Sequence, residues 1–325
     1  MNFTPVLVAS ALALALAVPA AAQTIALDTP PAYDVQPSYR WARDFADALI
    51  EAGFEPEIFP YESIGGEAER LDQVRAGILD VSMSGYAAAA SRDPAMDVLR
   101  LPYLFDDLAH FGRFVNETEF LEQLNERIAP DGMRVLAIIP LTGFLGLFNN
   151  QQEVRTPADL AAVRWRALDR GQISAIEALG GSTVPIPFSE VTTAIQTGTV
   201  NGYINPVNVP LTFGQGDLFS YYTDAELMVG ARLAIASETW WEGLSDDERT
   251  AVNAAIAEAS ASIYTWAASM VDAEKEKLRD AGYTVTDLTD DERQAFVDAT
   301  AGLRANIELD AALLEPLMAQ IEATR

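Results

Sequence analysis

The sequence predicts a two-lobed α/β protein, and three observations lead there. Short apolar runs alternate with longer amphipathic ones along most of the chain, the pattern of strands linked by helices. At 325 residues the chain is longer than an ordinary domain of roughly 100–200 residues and divides naturally into two. Between the halves there is no Pro/Gly/Ser-rich linker and no charge run, so the lobes are expected to exchange strands and share a hinge, as clamp-like binding proteins often do.

Residues 6–18 are almost entirely Val, Ala and Leu, and Ala20-Ala21-Ala22 then supplies the small residues that a signal peptidase accepts. The run is shorter than the about 20 apolar residues of a membrane span. No Lys or Arg precedes it, so only the α-amino group provides the positive end. Residues 1–22 are therefore expected to be a signal peptide, cleaved near Ala22, and the mature chain to be exported to a bacterial periplasm.

In the first half, residues 24–28, 54–61, 79–84 and 134–139 are strand candidates. Between them lie a helix with Ser38 as candidate cap and Trp41, Phe45 and Leu49 at helical spacing before Gly53, a helix over 68–76 stopped by Gly77, and a helical stretch over 107–129. A second set begins near Gly143, with strands at 147–149, 163–166, 183–187 and 202–205 and helices around 157–161, 172–179 and 189–197. Ser245 with Glu248 reads as a capping box. From there to Ala281 there is neither Gly nor Pro, which predicts one helix of about 54 Å, at 1.5 Å per residue, that bends or runs along both lobes. Thr289 with Glu292 repeats the box, and Pro316 is expected to limit the last helix.

Composition removes several function classes. Asp and Glu number 48 against 21 Lys and Arg, a net charge of −27, which repels nucleic-acid phosphates. Only Lys275 and Lys277 are lysines; the other cations are arginines, suited to bidentate carboxylate pairing. With no cysteine and a single histidine, His110, thiolate chemistry and multi-histidine metal sites drop out. The pairs Asp106-Asp107, Asp246-Asp247 and Asp290-Asp291 read as charges at helix N-termini, and His110 as a packing or surface residue. No phosphate loop or nucleophile elbow is present, so no cofactor and no metal are expected.

Several segments carry a resemblance. Glu67 and 69–80 (Glu-Arg-Leu-Asp-Gln-Val-Arg-Ala-Gly-Ile-Leu-Asp), 101–105 (Leu-Pro-Tyr-Leu-Phe), 156–160 (Thr-Pro-Ala-Asp-Leu), 163–166 (Val-Arg-Trp-Arg), 178–206 from Ala-Leu-Gly-Gly to Asn-Gly-Tyr-Ile-Asn-Pro, and Trp241 with Leu244 are similar, in order, to the DctP-type extracytoplasmic solute receptors of TRAP transporters. The resemblance implies two α/β lobes joined by crossing strands, a long helix across both and a ligand cleft between them. The lobes would be residues 23–143 plus about 231–270, and 144–230 plus about 271–325. It also implies a small organic-acid ligand, membrane subunits of a TRAP transporter as partners, and a monomer.

A buried carboxylate must be paired and hydrogen-bonded, and an arginine at a strand end can grip it with its planar fork. Arg164 and Arg166 share one face of an ideal strand; only the resemblance selects Arg166, and it likewise assigns a ligand-bonding role to Asn205, otherwise a turn residue before Pro206. The chain departs from the family where dicarboxylate and sialate receptors carry a second arginine, here Gly143-Phe144-Leu145-Gly146, and at Gly85, where sialate receptors carry an acid. A monocarboxylate with an apolar or aromatic body is therefore expected, with Tyr86, Phe144, Trp165 and Trp240 lining the pocket, each having core packing as its alternative. A secreted α/β hydrolase or lyase and a receptor for a sensor kinase are the other readings. If residues 1–22 are cleaved, mass spectrometry of the exported protein should find Gln23 at the N-terminus; an intact 1–22 segment would contradict the expectation.

Overall fold

The computed structural model describes residues 23–305, 307 and 309–325, so the expected signal peptide lies outside the described residues. In chain order the strands are β1 (Thr24–Ala26), β2 (Glu57–Phe59), β3 (Val81–Gly85), β4 (Met133–Phe144), β5 (Gly146–Asn149), β6 (Arg164–Ala167), β7 (Ser182–Pro185), β8 (Gly202–Asn205), β9 (Tyr221–Asp224), β10 (Val229–Ser237) and β11 (Thr284–Asp287). They form two sheets, ordered β2-β1-β3-β10-β4 and β11-β9-β5-β8-β6-β7. One apolar core surrounds the first sheet, and two smaller ones lie against the second.

Local sequence explains most elements. In the helix Pro37–Glu51, Trp41, Phe45 and Leu49 bury one stripe, and the first two rings stack at 4.9 Å. Ser38 does not cap it. Pro37, its φ preset for a helix, takes the first turn, so the boundary falls at Gln36, and the buried Ser38 hydroxyl meets Thr29 Oγ1 at 3.1 Å. The stretch expected over 107–129 is two helices, Leu108–Glu117, capped by Asp107, and Phe120–Ile128.

The sheets are joined by two crossing segments. Only Leu145 separates β4 from β5, and residues 225–228 lead from β9 back to β10. These segments bond to each other: Leu145 N donates to Met228 O and Leu227 N to Leu145 O, both at 2.9 Å. Gly143 turns with φ +75, and Gly230 admits Leu145, whose Cδ2 would lie 2.6 Å from any added Cβ. The loop holding Tyr103 buttresses this hinge, with Tyr103 N donating to Leu227 O at 3.0 Å and its hydroxyl to Ala225 O at 2.9 Å.

The single long helix is instead three segments, Asp246–Ser260, Ile263–Ser269 and Val271–Asp280. Each break falls at a serine whose hydroxyl is engaged: Ser260 Oγ accepts from Trp41 Nε1 at 2.9 Å, and Ser269 Oγ donates to Trp266 O at 2.7 Å, a back-bond that bends helices. The first two segments pack on the first core and the third, through Leu278, on the second sheet, so the bent rod does run along both lobes. Pro316 does not limit the last helix but sits on the exposed side within it, Ala311–Ala323. The helix end is held from outside, Ile321 O by His110 Nε2 at 2.8 Å and Thr324 O by Arg113 Nε at 2.7 Å. Leu317 and Ile321 belong to the first core, so this helix packs on the first lobe, whereas it was expected on the second.

Gly202 in β8 leaves no room for a side chain, since a Cβ would lie 2.5 Å from Phe148 O and 2.9 Å from the Trp165 ring. Gly202→Ala is expected to cost about 2–3 kcal/mol by overpacking, read as a lower urea midpoint at unchanged slope.

Candidate functional site

Between the sheets lies a cleft of about 370 Å³. The first lobe contributes Asp28 at the end of β1, Glu67 and Arg70 from the helix Glu67–Arg75, Tyr86 after β3, and Arg232 from β10; the second contributes Gln172, Phe188, Asn205 and Asn208. Two contacts span it. Arg100 Nη2 meets Asp169 Oδ2 at 2.9 Å, and Asn208 Nδ2 donates to Val35 O at 3.0 Å. Asp169 also caps the helix Arg170–Ala178, accepting from Gln172 N at 3.0 Å, so the carboxylate end of the ion pair is fixed.

Arg166 is 1% exposed and has no carboxylate of a described residue within ion-pair distance. Its Nε donates to Ile186 O at 2.8 Å, its Nη2 has no partner, and its guanidinium lies 5.9 Å from the Phe188 ring centroid. Burial pushes this guanidinium down to about 10, with Tyr203 and Asp169 only partly opposing. Arg166 therefore stands behind the cleft wall formed by Phe188. Parallel pairing of β6 with β8 sets it opposite Tyr203 and two residues from Asn205, whose buried Nδ2 is also unpartnered. The exposed Arg164 is instead held by the Gly198 carbonyl.

The expected aromatic lining is largely corrected. Trp165 alternates with Arg166 along β6 and so points to the other side of the sheet, where it is fully buried and donates to Leu160 O at 3.0 Å. Phe144 ends β4 beside the hinge and lines a separate cavity of about 250 Å³. Trp240 packs on the first core beside Trp241, outside the cleft. Only Tyr86 reaches the cleft, and its hydroxyl is committed to Met96 O at 2.6 Å.

The absence of further charge is corrected too. Arg70, Arg100 and Arg232 all line the cleft, together with the acids Asp28 and Glu67. Arg70 donates to Ser82 Oγ at 3.3 Å, Gly65 O at 2.9 Å and Met83 O at 3.4 Å, while Arg232 Nη1 stands 3.1 Å from Asp28 and 3.9 Å from Glu67. Gly85, lacking a side chain, leaves space for the Glu67 carboxylate, which accepts from Gly85 N at 2.9 Å. These residues were missed because Arg232 meets Gly85 only through the β10–β3 register; the only local signal was Asp28 at a predicted strand end.

The family described as bacterial extracellular solute-binding protein, family 7 (DctP), matches residues 33–309. The chain belongs to this family. The 2,3-diketo-L-gulonate-binding periplasmic protein YiaO of Escherichia coli is 27% identical over 266 residues, 79% of each protein. The ectoine/5-hydroxyectoine-binding periplasmic protein UehA of Ruegeria pomeroyi is 29% identical over 304 residues, 90% of this chain and 88% of UehA. Among solved structures, the galactonate complex of the sugar acid binding protein DctPAm from Advenella mimigardefordensis superposes with a TM-score of 0.82 at 20% identity, covering 94% of this chain and 100% of that one. The two-sheet architecture is thus that of the TRAP solute-binding proteins.

If the Arg100–Asp169 pair holds the lobes together, Arg100→Ala should raise the radius of gyration in solution scattering toward an open form, whereas Arg164→Ala, away from the cleft, should leave the curve unchanged.

Proposed function

We propose that this family 7 protein is a periplasmic receptor that captures a small monocarboxylate and delivers it to TRAP membrane subunits, acting as a monomer because both walls of the cleft come from one chain. The observation that supports it is the charge arrangement of the cleft. Arg232 stands against Asp28 and Glu67, and Arg100 is paired with Asp169, while Arg166 is buried without a carboxylate partner. A desolvated cation of this kind is costly until an anion reaches it, and Arg166, unlike the equally buried Arg70 whose nitrogens donate to Ser82 Oγ, Gly65 O and Met83 O, keeps a nitrogen without a partner among the described residues. The solved relatives from Chromohalobacter salexigens and Advenella mimigardefordensis hold D-glucuronate and galactonate, each with a single carboxylate. In this reading Arg166 takes the carboxylate, Asn205 Nδ2 adds a hydrogen bond, and Phe188 shifts to let the ligand in. Residues 23–143 with about 231–270 close as one body against 144–230 with about 271–305.

A thermal-shift screen over organic acids should identify ligands, since one present at about 100 times its Kd adds roughly 2.7 kcal/mol to stability. By calorimetry, Arg166→Ala should weaken binding by at least about a hundredfold, Arg166→Lys should also weaken it because a point charge cannot reproduce the fork, and Arg164→Ala should bind as the wild type does. Wild-type affinity in Arg166→Ala would remove the anchor.

A further inference from the structure

Besides the ligand cleft, the hinge borders the second cavity, of about 250 Å³, whose walls come from both lobes. Asp106 and Asp107 precede the first-lobe helix Leu108–Glu117, Asp224 ends β9, Glu226 lies in the crossing segment, and Asp272 comes from the third segment of the bent rod. Thr142 stands in the wall between the two cavities. It is 1% exposed, and its hydroxyl has no partner among the described residues. Its neighbour in β4, Leu141, lines the cleft alone, whereas Phe144, two residues on, lines only the second cavity. Side chains alternate along a strand, so the Thr142 hydroxyl is aimed into the second cavity, where a buried polar group without a partner calls for one.

The charge of this cavity is unbalanced. Lys275, the one cation in its lining, is taken by Asp224 at 2.9 Å, by Asp287 at 3.0 Å and by Asp272 at 3.5 Å. Arg293 meets Glu226 at 2.6 Å, and Arg325 meets Asp106. His110 brings no charge to Asp106, since its Nδ1 accepts from Asp106 N at 3.1 Å, and Asp107 meets only the amide of His110, at 2.7 Å. The five carboxylates of the wall therefore outnumber the cations that reach them, Lys275, Arg293 and Arg325. Burial holds the Glu226 carboxyl above its ordinary range, with Arg293 and Lys275 opposing the rise and Asp224 and Asp287 adding to it, the state of an acid that another cation would relieve.

We propose that this cavity is a second binding site, distinct from the carboxylate cleft, and that it takes a small aliphatic diamine. An anion would be repelled by the wall. A single metal ion does not fit either, because no group of three acids among the described residues is placed to hold one; the carboxylates are spread around the cavity, which suits charges separated along a chain. Between them the lining is apolar, with Leu108, Phe144, Val207 and Val271 available to the methylenes of such a chain. Both amino groups of an aliphatic diamine are ammonium at pH 7, as a lysine side chain is, and Thr142 offers the hydroxyl as a further acceptor. The occupant bridges acids of the first lobe, the crossing segment and the rod, and so ties the lobes together beside the hinge.

The test is calorimetry on the full mature chain with 1,3-diaminopropane, 1,4-diaminobutane, 1,5-diaminopentane and butylamine, in about 150 mM salt to screen diffuse attraction to a chain of net charge −27. At least one diamine should bind at one site per chain with a Kd of about 1 mM or below, and about tenfold or more tightly than butylamine. Asp272 is 95% exposed, so Asp272→Lys places a cation at the cavity without disturbing a core, and it should weaken diamine binding about tenfold or more. Glu226→Gln, which keeps the side-chain shape, should weaken it as well. Asp247→Lys makes the same charge change at an exposed acid outside the cavity and should leave the affinity as it is. Absence of saturable binding by every diamine, several equivalent sites per chain, butylamine binding as tightly as the diamines, or equal losses in Asp272→Lys and Asp247→Lys would each overturn the proposal. No organic acid enters the experiment, so its outcome is independent of the carboxylate anchor.

Discussion

The structure depends on the pair of backbone hydrogen bonds where the chain crosses between sheets. Leu145 and residues 227–228 bind each other at 2.9 Å in both directions, at the one place where β4 becomes β5 and residues 225–228 lead into β10. Because β10 is inserted between β3 and β4, neither sheet is complete until the chain has crossed twice. The same pairing sets the register that brings Arg232 opposite Gly85, and so places the polar wall of the cleft. Besides these narrow segments, the lobes share a helix bent at Ser260 and Ser269, and the chain returns once more from Phe296 on the second core to Leu317 and Ile321 on the first.

The cleft is built against the ordinary economy of protein interiors. Elsewhere arginines find carboxylates or carbonyls, as when Arg134 takes both oxygens of Glu238 at 3.0 Å. Around the cleft, Arg166, Asn205, Gln36, Thr142 and Asp28 keep polar atoms buried and unmatched. Thr142, Arg166 and Asn205 are held by strands, whereas Asp28 follows β1 and Gln36 begins a helix.

The fold was legible wherever local pattern suffices. Helical spacing of Trp41, Phe45 and Leu49, the capping boxes at Ser245 and Thr289, and the short apolar runs of both sheets each report interactions within a few residues. The break at Ser260 was not legible, because it depends on a hydroxyl meeting Trp41, more than two hundred residues earlier. Nor was the anchoring of the last helix by His110 and Arg113, about two hundred residues earlier. Strand parity did separate Trp165 from Arg166, and the aromatic lining failed because that alternation was applied to the arginines and not to the tryptophan between them.

By itself the sequence determined the α/β class and the family, since these follow from periodicity and from motifs contiguous in the chain, while Arg166 and Asn205 were singled out by the resemblance alone. Tertiary structure alone decided which other groups share the cleft. Asp28, Glu67, Gly85 and Arg232 come from segments up to about two hundred residues apart, and their proximity is a matter of strand order and register. The physical reason is that electrostatic pairing, burial and the shift of a carboxyl toward neutrality act over a few ångströms of space, and a chain that crosses repeatedly between its lobes leaves no trace of those distances in its residue numbering.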